Sequence, residues 1–175
     1  MCGERMNRAR AWLKLAALSA LGLWLDQYTK GQAEARLQGR PFVTLIEGFF
    51  ELRYTLNRGA FFSLGADLPD AYRVLVLGGV TVVTLGLVLS LFAQTAPEQT
   101  RLRLGLGLLL TGGAGNLIDR IHRGEVIDFL HLHMWEVFHW ATFNVADVYL
   151  TVGIALLIVD LLNPQTVALP ISPPP

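Results

Sequence analysis

Two short stretches of this chain carry the residues best suited to chemistry. Gly115-Asn116-Leu117-Ile118-Asp119-Arg120 places an amide, a carboxylate and a guanidinium at the end of a strongly apolar run, where ionisable groups are expensive and usually functional. Phe143-Asn144-Val145-Ala146-Asp147 opens the next apolar run with the same amide-to-carboxylate spacing of three residues. If both runs cross a membrane, they do so in opposite directions, and the end of one meets the start of the other at a single surface. The spacing therefore predicts that Asp119 and Asp147 come together. Two carboxylates partly withdrawn from water cannot both ionise cheaply, so one is expected to hold a proton that the other lacks. Such a pair can hydrolyse a peptide: the ionised member takes a proton from the attacking water while the protonated one polarises the carbonyl. Plainer readings exist for each alone, Asp119 as half of an ion pair with Arg120, and Asp147 as part of a capping box begun by Asn144.

The elements that would position these groups follow from composition and periodicity. With 53% hydrophobic residues, 16% charged ones and a mean hydropathy of +0.45, the chain reads as a membrane protein. Four crossings are expected, at about 11–28, 71–92, 102–118 and 142–162, within one domain spanning 1–164, followed by a disordered Pro-rich tail, 165–175. Tryptophans 12 and 24 suit the two ends of the first crossing, and glycines 105, 107, 112, 113 and 115 permit close helix approach in the third. Between the first two crossings, Phe50, Leu52, Tyr54 and Leu56 alternate with polar residues, which predicts a small antiparallel sheet over about 41–64 with a turn at Glu47-Gly48. The segment 119–141 reads as a polar and aromatic loop.

Orientation rests on the crowding of Arg5, Arg8, Arg10 and Lys14 before the first crossing, although eight basic residues fall on the other side against six on this one. Both termini are therefore expected in the cytoplasm, with the sheet and the aspartates at the outer face. The basic start and apolar run also have the layout of a cleavable signal peptide, with Ala33-Glu34-Ala35 as a cleavage-like site; the polar interval from Asp26 to Lys30 favours a retained helix. The 14 basic and 14 acidic residues balance without any long basic run, so nucleic acid is not an expected partner.

Four stretches in order resemble the signatures of the lipoprotein signal peptidase family, also called signal peptidase II. Asp26-Gln27-Tyr28-Thr29-Lys30 is similar to the first motif and Asn57-Arg58-Gly59-Ala60-Phe61-Phe62-Ser63 to the second. Gly115 to Arg120, with Gly124, Val126, Asp128 and Phe129, resembles the third, and Phe143 to Asp147 the fourth. The resemblance implies a membrane-embedded aspartic endopeptidase of the bacterial inner membrane. Such an enzyme removes the signal peptide of prolipoproteins, cutting just before a cysteine that carries a diacylglyceryl group. It implies Asp119 and Asp147 as the catalytic pair. Asn57, Gly59, Asn116, Arg120, Asp128, Asn144 and Ala146 would bind substrate or support the site, as would Asp26 and Lys30. No metal and no cofactor are implied, membrane lipids are the surroundings, and a monomer is expected. Phe61 stands where the family commonly has Ala, and Ala141 where Pro is frequent.

Two further readings come from the residues themselves. His131, His133, His139 and Glu136 raise a metal site, disfavoured because the cluster lacks a second ligand pair at helical spacing. Asp119, Asp147 and Arg120 could instead form an ion or proton relay in a small transporter. A relay needs polar groups across the full membrane thickness, whereas residues 71–92 carry only Arg73 near one end, plus hydroxyls.

Overall fold

The computed structural model describes residues 2–59, 69–135 and 137–162. Its elements in chain order are α1 (Cys2–Leu37), β1 (Val43–Ile46), β2 (Phe50–Asn57), α2 (Asp70–Gln94), α3 (Thr100–Arg123), β3 (Val126–Met134), β4 (Phe138–His139) and α4 (Val145–Leu161). The fold is thus mainly helical with one small antiparallel sheet, ordered β1-β2-β3-β4. The expected end of that sheet, 60–64, lies outside the described residues, as do Phe61, Glu136 and the tail 165–175.

α3 is the central element and packs against α1, α2 and α4. Its glycines set the approach: a Cβ at Gly112 would stand 2.5 Å from the carbonyl oxygen of Ala146, and one at Gly105 would stand 3.1 Å from that of Gly153. Backbone can therefore meet backbone where α3 and α4 cross. Asn144 caps α4 in a full capping box, its side chain accepting from the Asp147 N–H while the Asp147 carboxylate accepts from the Asn144 N–H. α3 ends on Gly124, whose φ of 78° is costly for any residue with a Cβ, and whose N–H closes on the Arg120 carbonyl.

Two expected boundaries move. The first helix does not stop near residue 28 but continues to Leu37, through Gln32-Ala33-Glu34-Ala35-Arg36, all good helix formers apart from neighbouring Gly31. The segment read as a loop, 119–141, is instead the last turn of α3 followed by β3 and β4. β3 pairs with β2 in antiparallel register, Leu52 opposite Leu130 and Asn57 opposite Val126, so it completes the sheet foreseen for 41–64. Its polar residues Asp128, His131 and His133 gave it the look of a loop, yet all three are buried. The turn at Glu47-Gly48 is present, with Gly48 at φ 71°.

Among the described residues, Val74–Gln94 is the one helical segment both long and apolar enough to cross a membrane by those measures. Polar residues inside α1 and α3 lower their apolarity, and α4 has 17 residues. The surface is nonetheless apolar over wide areas: Leu75, Val80, Val83 and Leu87 on α2, and Val152, Ile154, Ile158 and Val159 on α4, are exposed. Apolar surface this extensive marks a membrane or a partner rather than bulk water.

Candidate active site

The site forms where the end of α1, the end of α3 and the start of α4 meet the inner strands of the sheet. Lys30 is its buried cation. Its ammonium lies 2.9 Å from Asp26 Oδ2 and 2.8 Å from Asp119 Oδ2, and donates to Asn116 Oδ1 at 3.0 Å, with the three charged side chains closed to water. The other Asp26 oxygen accepts the Ala146 N–H at 3.0 Å. That amide is one of the unsatisfied donors of the first turn of α4, so Asp26 ties α4 to α1. Asp119 Oδ1 accepts from Arg123 and from Gln27, both at 3.2 Å. Its negative charge is thus matched by two cations.

A second set of carboxylates is held by amides. Asn116 Nδ2 donates to Asp147 Oδ1 at 2.8 Å, and Asn144 Nδ2 donates both to Asn116 Oδ1 at 3.2 Å and to Asp128 Oδ1 at 2.6 Å. The remaining Asp128 oxygen accepts from Asn57 Nδ2 at 2.9 Å. Backbone bonding puts these residues side by side: the Phe143 carbonyl accepts from the N–H groups of Phe129 and Leu130, and the Phe143 N–H returns to the Leu130 carbonyl. The chain entering α4 is therefore stitched to β3 one residue from the Asn144 cap. Asp128 is buried, among the described residues no cation is bonded to it, and desolvation, then the charge of Asp147, raise its pKa to about 7. Asp147 remains half-buried and so keeps access to solvent.

Arg120 points its fork at backbone. It donates to the Gly59 carbonyl at 2.7 Å and to its own helix at the Asn116 carbonyl, 3.2 Å away, while the Gly59 N–H bonds to Asn57 Oδ1 at 3.0 Å. These contacts hold the end of β2 against α3. Residues 60–63, the rest of that motif, lie outside the described residues.

The sequence matches the profile of signal peptidase (SPase) II over residues 18–163. This chain belongs to the signal peptidase II family. It is 41% identical to the lipoprotein signal peptidase of Geobacter sulfurreducens over 143 residues, covering 82% of this chain and 88% of that one. The lipoprotein signal peptidase of Syntrophus aciditrophicus is 36% identical over 147 residues, covering 84% and 91%. Two solved structures, each described as a bacterial membrane enzyme obtained by the in meso method, superpose with TM-scores of 0.75 and 0.71. Their identities are 25% and 26%, and they cover 86% and 85% of this chain and 94% and 87% of their own.

The eleven site residues that the resemblance implies fall within this one region; Gly59, Arg120 and Ala146 join it through backbone bonds, and the rest divide into two groups. Asp26, Lys30 and Asp119 form the ion cluster; Asn57, Asn116, Asp128, Asn144 and Asp147 form the amide-held set. The Asn116 side chain bonds to Lys30, Asn144 and Asp147, and it meets the Asp119 carboxylate at the Lys30 ammonium. Gln27 and Arg123 join the site beyond the residues that the resemblance implies. Arg123 follows Asp119 by four residues on one helix, a spacing that signals such a pair, and Gln27 lies inside the first motif.

The histidines form a separate group on the sheet. The rings of His131, His133 and His139 lie nearly parallel with centroids 5.5–5.7 Å apart, and Glu51 Oε1 stands 3.4 Å from His133 Nε2. Burial lowers the pKa of His131, reinforced by the charge of Arg53.

Proposed function

We propose that the chain is an aspartic endopeptidase that removes signal peptides from diacylglyceryl-modified prolipoproteins, with Asp128 and Asp147 as its working pair. The observation that carries the pair is Asn144, whose side chain donates to Asp128 while its backbone N–H donates to Asp147 at 3.1 Å. Both carboxylates hang from one residue, and one of them already resists ionisation. This reading replaces Asp119, because a shared proton has no place on a carboxylate bonded to Lys30 and Arg123. Asp119, Asp26 and Lys30 are then the buried frame that fixes α1, α3 and α4.

The chemistry follows from the two environments. Asp147, the more open member, accepts a proton from water as that water adds to the scissile carbonyl. Asp128, carrying the proton, donates a hydrogen bond to the carbonyl oxygen as negative charge develops there. Collapse of the tetrahedral intermediate passes the proton on Asp147 to the departing amine, breaking the C–N bond. Arg120, by holding Gly59 and Asn57, keeps the end of β2 beside Asp128.

The four helices cross the bacterial inner membrane with both termini in the cytoplasm and the carboxylates at the extracytoplasmic face, and the protein works as a monomer among membrane lipids. The wide apolar surfaces of α2 and α4 and the basic residues at the start of α1 support this. A lipidated cysteine brings about 0.8 kcal/mol per buried CH₂ and delivers the bond beside it to the depth of the site. Incubating the purified protein with a diacylated precursor and with the same precursor lacking the lipid tests the function. Cleavage before the cysteine is expected for the first alone, and equal turnover of both would overturn the substrate reading. A cysteine at exposed Val137, in a Cys2→Ser background, should react with an impermeant thiol reagent on cells whose inner membrane is intact. Reaction only after lysis would reverse the orientation.

A further inference from the structure

A cavity of 470 Å³ lies at the other end of the helices, between the N-terminal half of α1, the start of α3 and the end of α2. Among the described residues, Arg10, Lys14 and Arg103 line it with one carboxylate, Glu98, and its inner wall is formed by Leu15, Leu18 and Leu104. Arg103 is built in rather than free: it is 8% exposed, stacks 4.1 Å over the ring of Phe92 and donates to the Thr95 carbonyl. Trp12 packs edge-on to the same ring at 5.0 Å. Arg103 and Asp119 are 16 residues apart on one helix, about 24 Å at 1.5 Å per residue, close to the thickness of a hydrocarbon core of about 30 Å. The cavity therefore opens at the membrane surface opposite the carboxylates.

We propose that this cavity binds an anionic phospholipid of the cytoplasmic leaflet, its phosphate between Arg10, Lys14 and Arg103 and an acyl chain along the leucine wall. Charge and shape select that ligand together. Three cations against one anion attract a headgroup with net negative charge and repel the choline of a zwitterionic one. A soluble anion would leave the leucine wall unused. The proposal rests on the reading that α1 and α3 cross the membrane, and that reading has its own test in the labelling at Val137.

Native mass spectrometry of the full chain, released from detergent with phosphatidylglycerol or phosphatidylcholine of the same acyl chains, is the test. Phosphatidylglycerol should be retained preferentially, and Arg10→Gln/Lys14→Gln should lower its retention at least about tenfold, since each basic residue near an anionic lipid contributes about fivefold in affinity. Lys14→Arg, which keeps the charge, should retain it. Excess inorganic phosphate should not displace it. The double variant should cleave a diacylated precursor in neutral lipid as the unaltered protein does, since neither residue touches the site. Equal retention of the two lipids, unchanged retention by the double variant, or displacement by phosphate would each overturn the proposal.

Discussion

Lys30 Nζ stands 2.8 Å from Asp119 Oδ2, and neither side chain is open to water. A buried ion pair adds little net stability over a well-packed apolar pair, but deleting one partner leaves an unmatched charge and costs about 3–5 kcal/mol. Lys30→Met, which leaves Asp26 without its cation and Asp119 with Arg123 alone, should therefore lower the thermal midpoint in detergent more than any surface substitution. Asp119→Asn should do so too. The fraction of Asp119→Asn that folds should keep kcat within about a hundredfold of the parent, the cost of displacing a reacting group by about 1 Å. A folded Asp119→Asn with a normal midpoint and no turnover would return Asp119 to the catalytic pair.

Asp128→Asn and Asp147→Asn should behave oppositely. Each keeps shape and a carbonyl acceptor for Asn144, so the folded protein should persist in the membrane. Cleavage of a diacylated precursor should fall about a thousandfold or more, and because the two act as a unit the double variant should be scarcely worse than either single one. The comparison is read from single-turnover rates alongside thermal midpoints.

The pH dependence follows from Asp128. Its pKa of about 7 in the folded protein, against an ordinary 3.8, means that the folded state binds more protons than the unfolded one between those values. The stability this contributes is complete below 3.8 and is lost as pH rises through about 7. The thermal midpoint should thus decline from about pH 5 to about pH 8, and Asp128→Asn should flatten that slope. Turnover should also fall above about pH 7 as the proton-donating carboxyl ionises, with apparent constants that belong to the pair. A midpoint rising over the same range would contradict the assignment.

The sequence made the helices and the site's membership legible because both depend on local pattern. Apolar runs located α2 and α4, and the Asn144-x-x-Asp147 spacing announced a cap that the structure contains. It was weaker wherever a polar residue is buried by distant partners. Asp128, His131 and His133 made β3 look like a loop, since nothing nearby in the chain shows that β2 and the 143–144 segment will cover them. The same reason keeps pattern alone from ranking Asp119 against Asp128 as the partner of Asp147. Both lie in one motif, and which is matched by cations depends on Lys30, 89 residues before Asp119, and on Arg123, whose helix runs one turn further than the apolar pattern indicated. The capping reading of Asp147, first set against a catalytic one, proves compatible with it. The same bonds that close the helix end aim the carboxylate.

The approach of α3 to α4 gives the last prediction. A Cβ at Gly112 would lie 2.5 Å from the Ala146 carbonyl oxygen and 2.9 Å from Leu150 Cγ, whereas one at Gly79 on α2 would meet nothing within 4 Å. Backbone oxygen cannot swing aside as a flexible side chain can, so Gly112→Ala must move the first turn of α4. That turn carries Ala146, whose N–H is bonded to Asp26, and Asp147. Overpacking of this kind costs about 1–3 kcal/mol. Displacing a reacting group by about 1 Å can cost about a hundredfold in rate. Gly112→Ala should therefore lower both the thermal midpoint and kcat. Gly79→Ala, in an exposed helix, should leave turnover unchanged and raise stability slightly, because Ala is the better helix former by about 1 kcal/mol. Matching midpoints and rates for the two variants would show that the α3–α4 distance does not set the position of Asp147.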